Sequence, residues 1–413
     1  MDAMQGTNHD DLRRRNLSII LRLVHRSGAA SRAQLTRLTG LNRSTIGALV
    51  AELVERGLVE ERTPDPTKLA GRPSPIVAAS DRVVALAVNP EIDAITVGVV
   101  ALSGVVHRRI RFATSSSPTA AEAVAITAGI IDDLRNDLSE YSIIGIGIAV
   151  PGLVRAFDGL VRHAPHLGWV DEPLGDLLAA ATGLPVVAAN DASLGVTAER
   201  YFGAGQGMTD LIYLNGGSSG IGGGLVVGGV AAGGRAGYAG EFGHIRVSAS
   251  GQKDSAGIAG TLEAEVTRDA LLEVLGLRAS ETDADTLERA LLASDSAAVH
   301  AEVARQLDFL AVALAGAVNV LNPQVIVLGG FLAALHAADP DRLSRAVAAL
   351  SLGTAFDGVQ IAPALLGSNL LLIGAAELAF EALLLDPQLD RGNTFALPAL
   401  SARVAVSPAS HPH

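Results

Sequence analysis

The sequence predicts an α/β protein with a small helix-turn-helix head and a larger body of two lobes. The chain of 413 residues is too long for one ordinary domain. Short valine-rich runs alternate with helical patterns through most of the chain, which is typical of sheets covered by helices. The order of these elements partly repeats, which favours two lobes with a cleft between them. We expect the head at residues 10–75, the lobes at 80–200 and 201–384, and a tail at 385–413.

Composition and charge narrow the functional classes. Hydrophobic residues are 49% of the chain and aromatic ones 3%, so small aliphatic side chains must fill a large core. The absence of cysteine excludes disulfides and thiolate metal sites, and the N-terminus has no secretory pattern. We therefore expect a soluble cytoplasmic protein that contacts no membrane. The net charge is −12, but residues 1–75 hold twelve Arg and Lys against eight Asp and Glu, so this part is +4 and the remainder −16. A basic head on an acidic body is expected to bind an anion through the head.

The head carries the signals of three helices and a wing. Apolar residues of 11–26 fall on one helical face. Ser31 and Gln34 form a capping box for a second helix that ends at Gly40, and a third helix spans 43–56. This spacing indicates a helix-turn-helix. A strand at 58–62, followed by a turn and second strand within 63–76, completes the predicted wing.

In this motif the start of the last helix enters the major groove of DNA. The other expected contact is an extended Gly-Arg-Pro segment of the wing, which suits a narrow minor groove. The DNA-binding residues predicted on these grounds are Arg32, Asn42, Arg43, Ser44, Thr45, Gly71 and Arg72. The alternative interpretation is a helical hairpin that serves only in dimerisation.

The body begins with three antiparallel strands, predicted at 82–88, 95–102 and 104–113, and continues with alternating elements. Later strands are predicted at 143–150, 185–188, 211–214, 224–227, 325–328 and 359–363. Helices are predicted at 120–138, 174–182, 191–202, 262–275, 298–321 and 374–384. Between them, the stretch GEFGHIRVSASGQKDSAGIAGTLEAE at 240–265 places Glu241 close to His244 and ahead of Glu263. Such a cluster can bind a sugar, hold a metal or perform acid–base chemistry, unless Glu241 and His244 simply pair on a surface loop.

Several phrases, taken in order, resemble the ROK family (repressors, open reading frames and sugar kinases), and specifically its transcriptional regulators. SRAQLTRLTGLNRSTIGALVAELVERGLVEE and GRP resemble the family's winged helix, and GIGIAVPGLV, ANDASLG, GGSSGIGGGLVVGG, AGEFGH, NPQVIVLGG and GSNLLLIGAA its sugar-kinase-type body. The resemblance covers about residues 10–380 and implies an actin-like, two-lobed ATPase fold for the body. It also implies a sugar pocket. This agrees with the chemistry of the residues, since carboxylates, amides and imidazoles can pair with sugar hydroxyls, which both donate and accept hydrogen bonds. The sugar-binding residues expected from it are Gly152, Asn190, Asp191, Glu241, His244 and Glu263.

One departure from the family concerns zinc. The family's zinc site uses a histidine, here His244, and three cysteines, whose positions hold Asp254, Ala256 and Thr261. Zinc requires about four N, S or O ligands in a tetrahedral arrangement. These residues cannot supply that set, so we predict no metal. Either another interaction orders the loop 248–261, or the loop stays mobile until a ligand binds.

A second departure concerns ATP. In the position of the family's first phosphate loop, the chain has Asn89, Pro90, Glu91 and Asp93. Proline lacks the amide hydrogen that such a loop offers, and the two carboxylates repel a triphosphate. Asp191, which matches the family's catalytic base, is therefore expected to serve as a sugar ligand. We predict no catalytic residue and no cofactor.

The sequence thus predicts a sugar-responsive DNA-binding regulator, a repressor that acts as a homodimer or homotetramer on operator DNA without phosphorylating its sugar. Two alternatives remain. One is an ATP-dependent sugar kinase with a DNA-binding head. The other is a regulator whose body only dimerises.

Overall fold

The head folds as a winged helix-turn-helix. The structure, a computed structural model, describes residues 9–62, 74–134, 136–155, 157–217, 220–279 and 282–389. Its head contains α1 (His9–Ser27), α2 (Arg32–Thr39) and α3 (Arg43–Glu55), with a sheet in the order β1 (Ala29–Ser31), β3 (Ile76–Ala79), β2 (Val59–Arg62). The predicted helices are confirmed, whereas the three-residue strand β1 was not predicted. The predicted wing turn, with Gly71 and Arg72, lies outside the described residues.

The caps of the head helices follow the sequence signals. Ser31 Oγ accepts a hydrogen bond from the Gln34 amide, and Gln34 Oε1 accepts one from the Ser31 amide, so the capping box is present. Gly40 ends α2 at a φ of 70°, where glycine avoids the strain of a side chain. These caps fix the short turn between α2 and α3.

The first lobe is built on a five-stranded sheet with the order β11-β7-β4-β5-β6. The strands are β4 (Val83–Pro90), β5 (Ala94–Ala101), β6 (Val106–Ala113), β7 (Ser142–Val150) and β11 (Val186–Asn190). The meander β4–β6 is antiparallel, and β4, β7 and β11 are parallel. Helices α4 (Ala120–Asp133) and α5 (Leu174–Thr182) cover one face of this sheet.

Two details of this lobe differ from the prediction. Helix α4 ends at Asp133 instead of 138, and a 3-10 turn follows at Asp137–Glu140. A small antiparallel sheet, which was not predicted, is formed by β8 (Leu153–Val154), β9 (Val161–Ala164) and β10 (Trp169–Glu172). These strands are too short to show a clear alternation.

The second lobe repeats the plan with a sheet of order β14-β13-β12-β15-β16. The strands are β12 (Leu211–Gly217), β13 (Gly220–Val227), β14 (Val230–Ala231), β15 (Val325–Gly330) and β16 (Gln360–Pro363). The helices are α7 (Leu262–Glu265), α8 (Arg268–Leu275), α9 (Ala284–Leu292), α10 (Ala297–Leu321), α11 (Phe331–Ala338) and α12 (Pro340–Leu350). The single helix predicted at 262–275 is in fact two, because Val266 leaves the helical conformation and Thr267 caps a new helix.

Two helices join the lobes. Helix α6 (Asp191–Phe202) and helix α13 (Leu370–Leu385) contribute to one apolar cluster with both sheets, represented by Ala87 of β4 and Tyr213 of β12. The same cluster continues into the head through Leu17, Ile20 and Leu21 of α1. Head and lobes therefore share one core.

Helix α10 and the helical segment 367–385, most of which is α13, are long and apolar enough to cross a membrane by length and composition alone. The apolar window of α10 is 56% buried inside the protein and that of the second segment is 61% buried. Helix α10 packs in the core of the second lobe and α13 in the core that the head and lobes share, so burial in these cores accounts for their composition.

Candidate functional site

The candidate ligand site lies where strand ends of the first lobe face the second lobe. Because β4, β7 and β11 are parallel, their carboxyl ends share one edge of the sheet. Helix α6 starts at this edge directly after β11 and packs on β12 and β13 of the second lobe. At that contact Gly224 lies so close to α6 that an added Cβ would be 2.7 Å from the Ala192 carbonyl oxygen. Ligands commonly bind at such a carboxyl edge.

Asn190 holds two loops of this edge together. Its Oδ1 accepts the Ser193 amide hydrogen and caps α6, while its Nδ2 donates to the Gly152 carbonyl oxygen, both at 3.0 Å. At Gly152 an added Cβ would lie 2.5 Å from the His163 carbonyl oxygen, so a side chain does not fit there. Both residues thus shape the site, and their direct contact with a sugar stays a prediction.

Asp191 and Glu241 form an acidic pair. Burial, followed by the nearby Glu241 charge, raises the pKa of Asp191 to about 7. Burial also raises the pKa of Glu241, and the charge of Glu263 adds to this effect, although His244 opposes it. With a pKa of about 7, the Asp191 carboxyl group can both donate hydrogen bonds to ligand hydroxyls and accept them near neutral pH.

His244 is held by Asp254 rather than by Glu241. The distance between His244 Nδ1 and Asp254 Oδ2 is 2.8 Å, and the Asp254 side chain is fully buried. Burial works to raise the pKa of Asp254, but hydrogen bonds from His244, the Ile258 amide and the Thr261 hydroxyl outweigh it, so the pKa is lowered. The surface pairing of Glu241 with His244, considered from the sequence, is not the arrangement found.

Glu263 connects the loop to the glycine hairpin β12–β13. Its Oε1 accepts hydrogen bonds from the Ser255 amide at 3.0 Å and the Ser255 hydroxyl at 2.5 Å, and its Oε2 accepts the Ile221 amide hydrogen at 2.9 Å. Gly220 has a φ of 117°, and an added Cβ there would lie 2.0 Å from Glu263 Oε2. Glycine is required at this position by both conformation and space.

The turn between β4 and β5 is filled by acidic side chains. Glu91 accepts hydrogen bonds from Asn89 Nδ2 at 3.1 Å, Thr96 Oγ1 at 3.3 Å and Arg111 Nε at 3.2 Å. Arg111 also donates to Asp93 at 2.8 Å. These side chains satisfy one another, the Glu91 amide donates to the Ala94 carbonyl oxygen and Pro90 has no amide hydrogen. The turn therefore does not present the free amides of a phosphate loop.

The residues at the positions of the family's zinc ligands have other partners. Both oxygens of Asp254 accept hydrogen bonds from protein donors, the Thr261 hydroxyl donates to Asp254, and Ala256 has no ligand atom. No group of three or more His, Asp and Glu with metal-binding geometry occurs within the described part of the chain. The residues do not fit a tetrahedral zinc site.

The candidate DNA-binding surface is the start of α3. Asn42 caps this helix, accepting from the Thr45 amide at 2.8 Å and the Ser44 hydroxyl at 2.7 Å. Arg43 is exposed beside them. Arg32 instead forms a two-bond ion pair with Glu61 of β2, at 2.5 and 2.7 Å, so it links α2 to the wing. Gly71 and Arg72 lie outside the described residues and stay predictions.

The sequence did not identify the contacts that hold these residues. The sequence singles out Asp254 only as a residue in the position of a zinc-binding cysteine, and it does not single out Ser255. The contacts of α1 with the body were also missed. A polar pair in a glycine-rich loop was the only available signal for Asp254 and Ser255, and it does not specify a partner.

A groove of about 290 Å³ lies elsewhere, between β5–β6 and the segment that precedes β7. Three of its polar side chains already have partners: His107 Nε2 lies 2.9 Å from the Asp81 carbonyl oxygen, and Arg108 pairs with Asp137. The groove therefore lacks the convergent free groups of the cluster around Asp191.

Comparison with known families agrees with this architecture. The sequence profile of the ROK family matches residues 87–382, which is most of the body. The profile of the MarR family matches residues 15–68, which lie in the head.

Individual relatives fall into two functional groups. The xylose repressor of Bacillus subtilis (strain 168) is 26% identical over 373 residues, covering 89% of this chain and 95% of its own. A glucokinase of Halalkalibacterium halodurans is 32% identical over 289 residues, covering 65% of this chain and 86% of its own. Among solved structures, a ROK family transcriptional regulator homologous to the E. coli MLC protein has a TM-score of 0.74 at 23% identity, covering 91% of this chain and 97% of its own. A Streptomyces griseus ROK glucokinase, solved with glucose and AMPPNP, has a TM-score of 0.61 at 26% identity. The match covers 72% of this chain and 99% of the glucokinase.

Proposed function

The chain belongs to the ROK family, and from this premise we propose that it is a sugar-responsive transcriptional repressor that binds operator DNA in the cytoplasm. The observation that carries the proposal is the presence, in one chain, of an exposed recognition-helix start at Arg43 and a converging cluster of Asp191, Glu241 and His244. Relatives named xylose repressors, which this chain matches over most of its length, make xylose the first ligand to test.

The body is proposed to sense its sugar without phosphorylating it. Catalysis of phosphoryl transfer depends on groups that position and neutralise the phosphates. Glu91 and Asp93 put negative charge in the β4–β5 turn, and Pro90 removes an amide donor. The second candidate function, a sugar kinase, is favoured by the glucokinase relatives and by the retention of Asp191.

Helix α6 offers a direct route from ligand to head. It begins at Asp191 in the cluster and ends at Phe202, a length of 12 residues. At that end, Phe202 contacts the His25 ring edge to face at 5.4 Å, and Tyr201 Oη accepts a hydrogen bond from Arg26 at 2.8 Å. A ligand that shifts α6 would therefore shift α1. To regulate, it must bind the two arrangements with different affinity.

The working unit is proposed to be a homodimer or a larger homo-oligomer. Two heads that read half-sites on one face of DNA must keep a spacing of about 34 Å or a multiple of it. A rotation of α1 against the body in each protomer changes that spacing. A small movement at each cluster can thus release the operator.

The function is tested with full-length protein and DNA selected from a random duplex library. Xylose, glucose and their phosphates are added with and without Mg-ATP, while DNA affinity and ADP release are measured. We expect an unphosphorylated sugar to change DNA affinity regardless of ATP, with no sugar-dependent ADP. Sugar-dependent ADP formation would establish the kinase instead.

Arg43→Ala supplies the matched variant for the head. Loss of one base or phosphate contact should weaken DNA binding by about 1–3 kcal/mol, while sugar binding by the body stays as in the wild type. Unchanged DNA affinity in this variant would place the DNA-binding surface elsewhere than the start of α3.

A further inference from the structure

The loop at residues 246–261, here called the cap loop, is closed by buried carboxylates. Asp254 Oδ1 accepts the amide hydrogens of Ala256 at 3.0 Å and Ile258 at 2.8 Å, and its Oδ2 accepts the Thr261 hydroxyl at 2.9 Å and faces His244 Nδ1. Three protein donors therefore converge on one carboxylate, beside the imidazole of His244. Such a set of hydrogen bonds favours the ionised form.

Two further carboxylates fasten the ends of the cap loop. Glu265 accepts hydrogen bonds from the hydroxyls of Ser248, at 2.5 Å, and Ser250. Glu263 accepts from Ser255 and from the glycine hairpin, as described above. These hydrogen bonds between serines and carboxylates connect parts of the cap loop that a bound metal ion could otherwise connect. Each of these donors has an acceptor.

The tautomer of His244 follows from this arrangement. An ionised Asp254 has no hydrogen to donate, so His244 Nδ1 must carry the hydrogen of the 2.8 Å contact. In the neutral ring, Nε2 is then an acceptor, and it has no hydrogen-bond partner within the described residues. The imidazole is 30% exposed, which leaves Nε2 accessible to a ligand.

We propose that Asp254 is a positioning residue that orders the cap loop without a metal and fixes His244 with Nε2 as the acceptor for a ligand hydroxyl. The part that concerns the ligand rests on the proposed sugar-sensing function. The part that concerns the loop does not.

The proposal also specifies the charge of the ligand. Glu241 interacts electrostatically with His244, Asp191 and Glu263, so three carboxylates belong to the same cluster as the imidazole. Together with an accepting Nε2, they form a site rich in acceptors. It suits an uncharged polyhydroxyl compound, whose hydroxyls donate, and repels a sugar phosphate. The raised pKa values of Asp191 and Glu241 agree with a site that avoids further negative charge.

The test uses the full chain with 15N-labelled histidine at pH 8, with and without chelator. The His244 signals are assigned by their loss in His244→Gln. We expect ligand-free wild-type protein to show hydrogen on Nδ1 and none on Nε2, no stoichiometric zinc, and a melting temperature unaffected by chelator. Hydrogen on Nε2, or zinc that binds at one ion per chain and raises the melting temperature, would overturn the proposal.

Binding measurements then use Asp254→Asn and a neighbouring control, Lys253→Ala, with xylose, glucose and glucose 6-phosphate as probes. An amide at 254 can donate to His244 Nδ1 and so reverses the tautomer. We expect about tenfold weaker binding of the neutral sugar by Asp254→Asn, unchanged binding by Lys253→Ala, and no binding of the phosphate by either. An unchanged tautomer and an unchanged affinity in Asp254→Asn would refute the positioning role of Asp254. Stronger binding of glucose 6-phosphate than of the neutral sugars would refute the proposed ligand class. If wild-type protein binds no neutral sugar yet shows the expected tautomer without zinc, the loop inference stands and the sugar-sensing function fails.

Discussion

Asp191 occupies an electrostatically unfavourable position in the proposed ligand site. The fold places its carboxylate beside Glu241 in a partly buried position at the start of α6. In the absence of ligand, its charge is poorly solvated and faces another acid. Such unfavourable placement is common at functional sites, where stability is lower than the fold alone would allow.

We expect Asp191→Asn to stabilise the protein, and increasingly so as pH rises. The pKa of Asp191 is about 7 in the folded state against an ordinary 3.8, so the folded state holds an extra proton between these values. The contribution of this proton to the free energy of unfolding is complete below about pH 4 and is lost as pH rises through 7. The free energy of unfolding of the wild type is lowered accordingly. Asparagine keeps the hydrogen bond to the Ala192 amide and carries no charge. Its melting temperature should exceed that of wild type by about 2 °C at pH 8 and by less at pH 5.

Asp176→Asn, an exposed change in the first turn of α5, serves as the control for this series. It should show no such trend. A variant Asp191→Asn that is less stable than wild type at pH 8 would show that the Asp191 charge is stabilised by a group other than those identified around it.

At the scale of elements, the contact between α1 and α13 joins the head to the body. His25 is fully buried, with Nδ1 at 2.5 Å from the Leu102 carbonyl oxygen and Nε2 at 3.0 Å from Glu377 Oε2. The Leu102 carbonyl and the Glu377 carboxylate both face the ring as acceptors, which favours the imidazolium form. Burial works to lower the pKa of His25, but the charge and hydrogen bond of Glu377 and the Leu102 carbonyl outweigh it, so the pKa is raised.

We expect His25→Gln to destabilise the protein by about 3 kcal/mol at pH 6, because Glu377 is left as a buried charge without its partner. The pKa of His25 is raised above 6.5, so its stabilising contribution is complete below pH 6.5 and is lost as pH rises through the folded value. The gap between wild type and variant should therefore narrow toward pH 9. Urea unfolding between pH 6 and 9 measures it, with the exposed His300→Gln as control. A gap that widens with pH would mean that His25 is neutral in the folded protein.

Elements with strong local signals could be predicted from the sequence, and others could not. The capping box of α2 and the valine-rich strands β4 and β5 are set by neighbouring residues, so their patterns sufficed. Helix α11 is apolar on most sides and follows β15 directly, so it shows no helical period. The break at Thr267 between α7 and α8 depends on a cap that competes with a continuous helical pattern.

The candidate site divides in the same way. The residues proposed to contact the ligand were expected because their phrases resemble those of a known family. The pairs His244–Asp254 and His25–Glu377 were not, because each joins residues that only tertiary packing brings together. In the second pair the partners are 352 positions apart. No period or spacing in a single sequence encodes such a pairing.

At the scale of the whole molecule, the head is part of the core rather than a tethered module. Leu17, Ile20 and Leu21 of α1 belong to the apolar cluster that includes Phe380 of α13 and Leu194 of α6. Ser18 Oγ also donates to the Leu384 carbonyl oxygen at 2.6 Å. Packed interfaces of this kind switch between discrete arrangements and do not deform continuously. We therefore expect ligand and operator to act on a shared equilibrium.

This sharing makes the effects of sugar and operator reciprocal. If the sugar weakens operator binding by some factor, the operator must weaken sugar binding by the same factor, typically about 5- to 150-fold. We expect the dissociation constant of the sugar, measured with and without saturating operator, to differ by the factor that sugar imposes on operator binding.

Arg26→Ala removes the hydrogen bond to Tyr201 and the stacking of its guanidinium, 4.2 Å from the ring centroid, where α1 meets α6. It should reduce both factors equally while the separate affinities persist. The exposed Arg345→Ala on α12 should leave them unchanged. Full coupling in Arg26→Ala would move the route from α6 to another contact of α1, and a sugar affinity indifferent to operator would mean that the body does not regulate the head.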